Sequence, residues 1–281
     1  MKKWLWVLLW ASGVAAHPLR DGKLLVTYTS YSGQTAILML DRQGEFHMVR
    51  SSRGEELLDP SWAPDGGIFY VAATGESSRL CWINASGEDE RVVEEFAGGR
   101  ASGPSPSPDG QHLLLTVVGK DGLPQLWLAD GQGSGAHALG PKGAGDPAWS
   151  GDSQQFVAVL GENQLVVYDL EGRAVRSLHS GQEKLRTPAW SSDGRQLVVS
   201  RAYHLVDLEG RELTAGDATE ANPTFDDQGR ILFNRVSARE LSVWSCEPDG
   251  KNPKLVVEYA GIQGAARLLW LSLRRIPTAD H

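Results

Sequence analysis

TPAWSSDGRQLVVS, residues 187–200, sets a proline and an aromatic ahead of a serine-rich Asp-Gly corner, then an alternating apolar run. The same order returns at DPSWAPDGGIFYVA (59–72), GPSPSPDGQHLLLT (103–116), DPAWSGDSQQFVAV (146–159) and NPTFDDQGRILFNR (222–235). Aligned on the aromatic, the equivalent positions are Trp62, Pro106, Trp149, Trp190 and Phe225, spaced 44, 43, 41 and 35 residues apart. Two residues earlier stands Pro60, Pro104, Pro147, Pro188 or Pro223; three residues later stands Asp65, Asp109, Asp152, Asp193 or Gln228. A recurrence near 40 residues marks a repeat architecture and governs how every shorter motif is understood.

A second marker counts the units independently. Apolar runs close on DRQG (41–44), NASG (84–87), DGQG (130–133), DLEG (169–172), DLEG (207–210) and EPDG (247–250), which makes six. The extra unit comes first, with its own Asp21-Gly22 corner but no proline-aromatic strand before it. Within a unit, alternation and β-rich composition predict four strands; for the fourth unit these are 146–150, 155–160, 163–170 and 174–179. Asp at the corner bonds backbone N–H groups and Gly accepts positive φ. The glycine of D-x-x-G supplies the left-handed residue a short hairpin needs.

Six four-stranded antiparallel meanders of this length predict an all-β, six-bladed β-propeller. One such sheet cannot bury both faces, whereas radial packing buries each against the next. Trp82, Trp127, Trp244, Leu114 and Val198 are then expected between blades. The blade boundaries fall at about 17–54, 55–98, 99–140, 141–180, 181–215 and 216–260. The first blade needs an inner strand from elsewhere. ARLLWLS (266–272), with Trp270 placed 45 residues after Phe225, is the candidate that would close the ring. The alternative is an amphipathic helix over 265–276.

The N-terminus, MKKWLWVLLWASGVAAHP, runs from two lysines through a short apolar stretch to small residues. That is the order of a cleavable secretory signal over residues 1–16, implying a periplasmic or secreted protein of residues 17–281. Trp4 to Ala16 is too short for a span, which needs about 20 residues. The formal charge of −8, or −10 without Lys2 and Lys3, lacks the basic footprint of nucleic-acid binding. It weakly favours neutral or cationic partners. Cys81 and Cys246 both fall in third strands of units that are not neighbours, so two separate buried thiols are expected rather than a bridge.

The P-x-W-[ST]-x-D-G corner, the apolar strand after it and the strand ending D-x-x-G together resemble the WD-like repeat of the TolB-type β-propellers. The resemblance covers the propeller part only. The protein that gives that family its name works in the periplasm with a lipoprotein partner and carries a preceding α/β domain, for which this sequence leaves no room before its first blade. The same blades also serve as the propeller halves of serine peptidases, so the resemblance implies the fold more sharply than the function.

A search for chemistry finds little that the repeat does not explain. Ser153 of Gly-Asp-Ser sits in the repeated corner, so it is read as a turn residue rather than a nucleophile. No G-x-S-x-G elbow is present. The seven histidines show no metal spacing, and neither a metal nor a cofactor is expected. The corner acids are read as turn caps. What remains is the mouth of the central channel. The residues before each repeat proline (Asp59, Gly103, Asp146, Thr187 and Asn222) stand at its entrance, and nothing in the packing of the repeat demands polar side chains there. Alanine at Asp59 and Asp146 is therefore expected to leave melting nearly unaltered. Arg53, Arg100, Lys142 and Arg186 are expected on the same face.

The leading expectation is a monomeric, non-catalytic binding or scaffold protein that takes an envelope or extracellular protein, peptide or glycan at this mouth. The alternatives are a small hydrolase or lyase acting there, and an assembly subunit docking by blade edges. Convergent carboxylates or histidines on one mouth would favour the enzyme, and a broad exposed apolar patch the scaffold.

Overall fold

The computed structural model describes residues 23–29, 34–40, 46–226, 228–237 and 241–258. Every element in them is a strand, and every sheet is antiparallel. β1 (Leu24–Thr29), β2 (Thr35–Leu40) and β3 (Phe46–Ser52) form a three-stranded sheet. β4 (Glu56–Trp62), β5 (Ile68–Thr74), β6 (Ser77–Ile83) and β7 (Glu90–Phe96) form the first four-stranded blade. The next contains β8 (Arg100–Pro106), β9 (His112–Val118), β10 (Pro124–Asp130) and β11 (His137–Leu139). Then come β12 (Ala144–Trp149), β13 (Gln155–Leu160), β14 (Gln164–Asp169) and β15 (Ala174–Ser180). β16 (Leu185–Trp190), β17 (Leu197–Arg201) and β18 (His204–Asp207) make a three-stranded blade. β19 (Thr219–Phe225), β20 (Ile231–Val236), β21 (Leu241–Cys246) and β22 (Lys254–Glu258) make the last.

The protein is thus an all-β propeller of antiparallel blades. Five blades carry an inner strand with the X-Pro element, where six complete blades were expected. The first unit shows three strands among the described residues. The leader (1–16) and the proposed closing segment (266–272, or a helix over 265–276) lie outside them. The fifth unit corrects the expectation of four strands throughout. It is six residues shorter than its nearest sister by anchor spacing, about the length of one strand. In place of a fourth strand, Glu212 bridges Val206, and Leu213 N–H donates to Leu205 O at 2.8 Å.

The middle strands explain why the apolar runs are nearly continuous. In β13, Phe156 and Ala158 pack back against Leu114, Leu126 and Leu128 of the preceding blade. Val157 and Val159 pack forward against Leu197 and Val199 of the following one. β9 divides the same way, with Leu113, Leu115 and Val117 turned toward Phe69 and Leu80, and Leu114 toward Phe156. Both faces of a strand are therefore buried, at about 2 kcal/mol per large aliphatic side chain. Trp82, Trp127 and Trp244 pack, partly buried, against these inter-blade clusters as expected. Cys81 and Cys246 are free and buried; burial raises both thiol pKa values, that of Cys246 to about 11.

The closing glycines do more than turn. At Gly250, φ is +82°, and a Cβ would lie 2.2 Å from the Leu213 carbonyl oxygen of the preceding blade. Gly87 stands in the same relation to Val49 O, at 2.3 Å. Blade-to-blade approach at this point leaves room for hydrogen only.

Candidate functional site

Each inner strand is broken at one place. The register slips between Leu58 and Ser61, Ser102 and Ser105, Gly145 and Ala148, Arg186 and Ala189, and Ala221 and Thr224. Proline offers no N–H to the ladder, so the strand bulges around it. The residue ahead of each proline adopts positive φ: Asp59 52°, Gly103 58°, Asp146 52°, Thr187 44° and Asn222 54°. Glycine, Asp and Asn tolerate that region best, whereas the β-branched Thr187 is the costly member.

The expectation that packing places no demand on these positions is therefore overturned. The demand is conformational, and it is also a matter of hydrogen bonding. Asp59 Oδ2 accepts the N–H of Gly103, the equivalent residue of the next blade, at 2.8 Å. Asp146 Oδ2 accepts that of Thr187 at 3.3 Å. Gly103 has no side chain with which to repeat the contact. Thr116 Oγ1, from the second strand of that blade, accepts the Asp146 N–H instead, at 3.2 Å. Thr187 Oγ1 lies 3.1 Å from Ser200 Oγ. Asp59 and Asn222 are buried, Asp146 and Thr187 half-buried. At three successive junctions the polar residues of the mouth are joined by inter-blade clasps.

The cations of this rim are stitched to the preceding blade. Arg100 donates to Glu56 Oε2 at 2.5 Å and to Gly75 O at 3.1 Å. Lys142 pairs with Asp121. Arg186 meets Glu162 at 2.5 Å, and Lys184 meets its other oxygen at 2.8 Å. Those two cations, Lys184 foremost, hold the Glu162 carboxyl down to about 2. Arg53 is exposed. Solvated pairs of this kind contribute at most about 1 kcal/mol each.

One member of the rim escaped the sequence reading. Two residues before the pre-proline position, the blades carry buried Leu57, Ala101, Ala144 and Leu185, but the last carries Glu220, 1% exposed. Its Oε2 meets His204 Nδ1 at 2.8 Å and its Oε1 accepts from Arg235 Nε at 3.1 Å. Comparing that column of the repeat would have revealed the acid among aliphatics.

At the opposite ends of the inner strands, the corners behave as caps. Ser107, Ser150 and Ser191 donate to Asp109, Asp152 and Asp193 at 2.6, 2.6 and 2.7 Å. These hydroxyls are the main reason that the Asp152 and Asp193 carboxyls titrate below the usual range. In the last blade Asp226 takes over, accepting from the N–H groups of Gln228 and Arg230, so Gln228 leaves the turn intact. Ser153 stands in the glycine place with φ 60°, 1% exposed, its Oγ accepting the Asp109 N–H at 3.0 Å. It is buried and engaged as a clasp. Among the described residues, no three His, Cys, Asp or Glu side chains are grouped to hold a metal ion.

The family model of the TolB beta propeller domain matches residues 24–266. An uncharacterized protein of Agrobacterium fabrum is 26% identical over 160 residues, covering 50% of this chain and 54% of that relative. The match therefore spans about half the relative's length. Among solved structures, TolB from Acinetobacter baumannii superposes with a TM-score of 0.70 at 20% identity, covering 90% of this chain and 67% of that one. An oligogalacturonate lyase in complex with manganese does so with a TM-score of 0.67 at 14% identity, covering 92% and 80%. At these identities the likeness is one of fold.

Proposed function

We propose, from the premise that this chain belongs to the TolB beta-propeller family, that it is a non-catalytic binding or scaffold protein of the periplasm or the secreted fraction. In this reading the leader is removed, the first unit is completed to a closed six-bladed ring, and a protein, peptide or envelope glycan binds at the channel mouth. The observation that carries it is the recurrence of one bulge in five successive inner strands, with equivalent residues clasped blade to blade at two of the junctions. Such a ring gives a pre-formed concave entrance that costs little ordering when a partner arrives. Asp59, Asp146, Thr187 and Asn222 shape the entrance in this proposal, while Arg53, Arg100, Lys142 and Arg186 supply its outer contacts.

The test is capture from an envelope extract by the mature chain and by an Arg53→Glu/Lys142→Glu variant. Specific capture lost in the variant, at unchanged melting, supports the reading; identical capture by both sinks it.

A second reading, a small hydrolase or lyase at the same mouth, is favoured by one observation. Glu220 orients the imidazole of His204 in the manner of a base and its orienting carboxylate. Turnover of an envelope substrate, abolished by His204→Gln, would establish it.

A further inference from the structure

We infer that Glu220, His204 and Arg235 form a subsite for a carboxylate side chain of an acidic peptide segment, an inference that deepens the reading of the mouth as a binding face. The fold does not require a carboxylate at position 220, because four sister strands place Leu or Ala there. Burying one is costly unless its hydrogen bonds are supplied. Here they are supplied by two groups that it fixes in turn. Arg235 lies directly across the β19–β20 ladder from Glu220, and its guanidinium lies over Trp244 at 4.3 Å. His204 reaches over from the neighbouring blade, where the Tyr203 carbonyl accepts the Glu220 N–H at 2.8 Å.

Both Arg235 and His204 keep capacity for a further partner. Arg235 spends Nε on Glu220, which leaves the Nη edge of the guanidinium. His204 spends Nδ1, which leaves Nε2. No hydrogen bond from either remaining edge occurs among the described residues. A guanidinium edge beside an imidazole matches a planar carboxylate, which it can hold through two parallel N–H groups.

The rest of the rim makes this junction distinct. At three other junctions the acid is in the open: Glu56 is 58% exposed, Asp121 40% and Glu162 50%. An arriving anion meets those carboxylates together with their cations. Between the last two blades the order is reversed, with Glu220 buried behind His204 and Arg235, which are 24% and 22% exposed. Arg201, opposite His204 in the ladder, faces Glu183 and Glu212 and adds no free charge.

Partial burial selects the occupant. A glutamate carboxylate on its flexible stem reaches side chains that are only 24% and 22% exposed, whereas a carboxyl fixed to a sugar ring brings the bulk of the ring with it. The exposed ring of Tyr203, next to His204 in the chain, offers a platform for the peptide's backbone or side-chain stems. The chain's formal charge of −8 opposes an anion at long range, so the contact acts locally rather than by steering.

Calorimetric titration of the intact chain with a hexaglutamate peptide tests the proposal, with hexaglutamine as control. Saturable binding of hexaglutamate alone is expected, weakened at least tenfold by Arg235→Lys, which keeps the charge and loses the planar edge. Glu220→Leu restores the residue type of the sister blades; it is expected to keep the fold by circular dichroism and to lose the binding. Absence of saturable binding by the parent chain, or equal affinity of Arg235→Lys, overturns the subsite. Tighter binding of an oligogalacturonate than of hexaglutamate overturns the assignment to a peptide. None of these outcomes touches capture through Arg53 and Lys142, so the two readings fail separately.

Discussion

Replacing Asp59 by alanine should destabilise the ring far more than a surface change would. The Asp59 side chain accepts the Gly103 N–H at 2.8 Å from a residue 1% exposed. A hydrogen bond to a charged group at a buried site is worth about 1.5–3 kcal/mol. Alanine must also hold φ at 52°, a region that costs it about 1 kcal/mol more than it costs glycine or Asp. The expected loss is about 3 kcal/mol, or about 6–12 °C in melting temperature for a chain of this size. Two companion variants separate the terms. Asp59→Gly loses the bond but welcomes the conformation, as Gly103 does in the next blade, and should cost about 1–2 kcal/mol. Asp59→Asn keeps an acceptor and tolerates the backbone, and should cost less than about 1 kcal/mol. Thermal unfolding followed by circular dichroism at one pH gives the order Asn, Gly, Ala. A parent-like melt for the alanine variant, or glycine worse than alanine, would refute the clasp.

Three further outcomes follow from the same structure. Gly250→Ala, whose Cβ would lie 2.2 Å from Leu213 O, should lower stability by about 2–4 kcal/mol, while Gly66→Ala, equally left-handed but in open space, should lose only about 1 kcal/mol. Equal melting of these two variants would show that the blades do not approach as described. For Glu162, whose folded pKa is depressed to about 2 from 4.5, the stabilisation is present above pH 4.5 and disappears as pH falls toward 2. Because the group is exposed, melting curves across that window should show less than about 1 kcal/mol that Glu162→Gln abolishes; an identical acid profile in the variant contradicts it. Finally, both thiols should resist a thiol reagent at pH 8 in the native protein and react together in denaturant, since both are buried and burial lifts Cys246 to about 11. Rapid modification of the folded chain would count against the packing.

The blades were legible because two independent markers, the proline-aromatic corner and the closing D-x-x-G, repeat at one spacing. Their strands show as apolar runs because both faces of β9 and β13 are buried. The loss of a fourth strand in the fifth unit was also written in its spacing of 35 residues, which leaves no room for one. The mouth was less legible. Asp59, Gly103, Asp146, Thr187 and Asn222 were found as a column, yet the demand that backbone and hydrogen bonding place on them was not. Polarity alone does not distinguish a side chain offered to a ligand from one that accepts a neighbour's N–H 41 or 44 residues away in the chain. Glu220 was missed because the alignment followed the residues that repeat, and its meaning lies in being the one that does not.

The three clasps at the mouth point one way: a side chain of one blade takes the N–H of the blade that follows it. Duplicating or deleting a unit would therefore preserve the chemistry of those seams, provided the transplanted piece carries its own acceptor. The stretch beginning at Gly103 meets that condition only together with Thr116, thirteen residues on, which does for it what a carboxylate does elsewhere. Copy number in such a ring can drift by whole units, but the point of cutting cannot fall between those two residues.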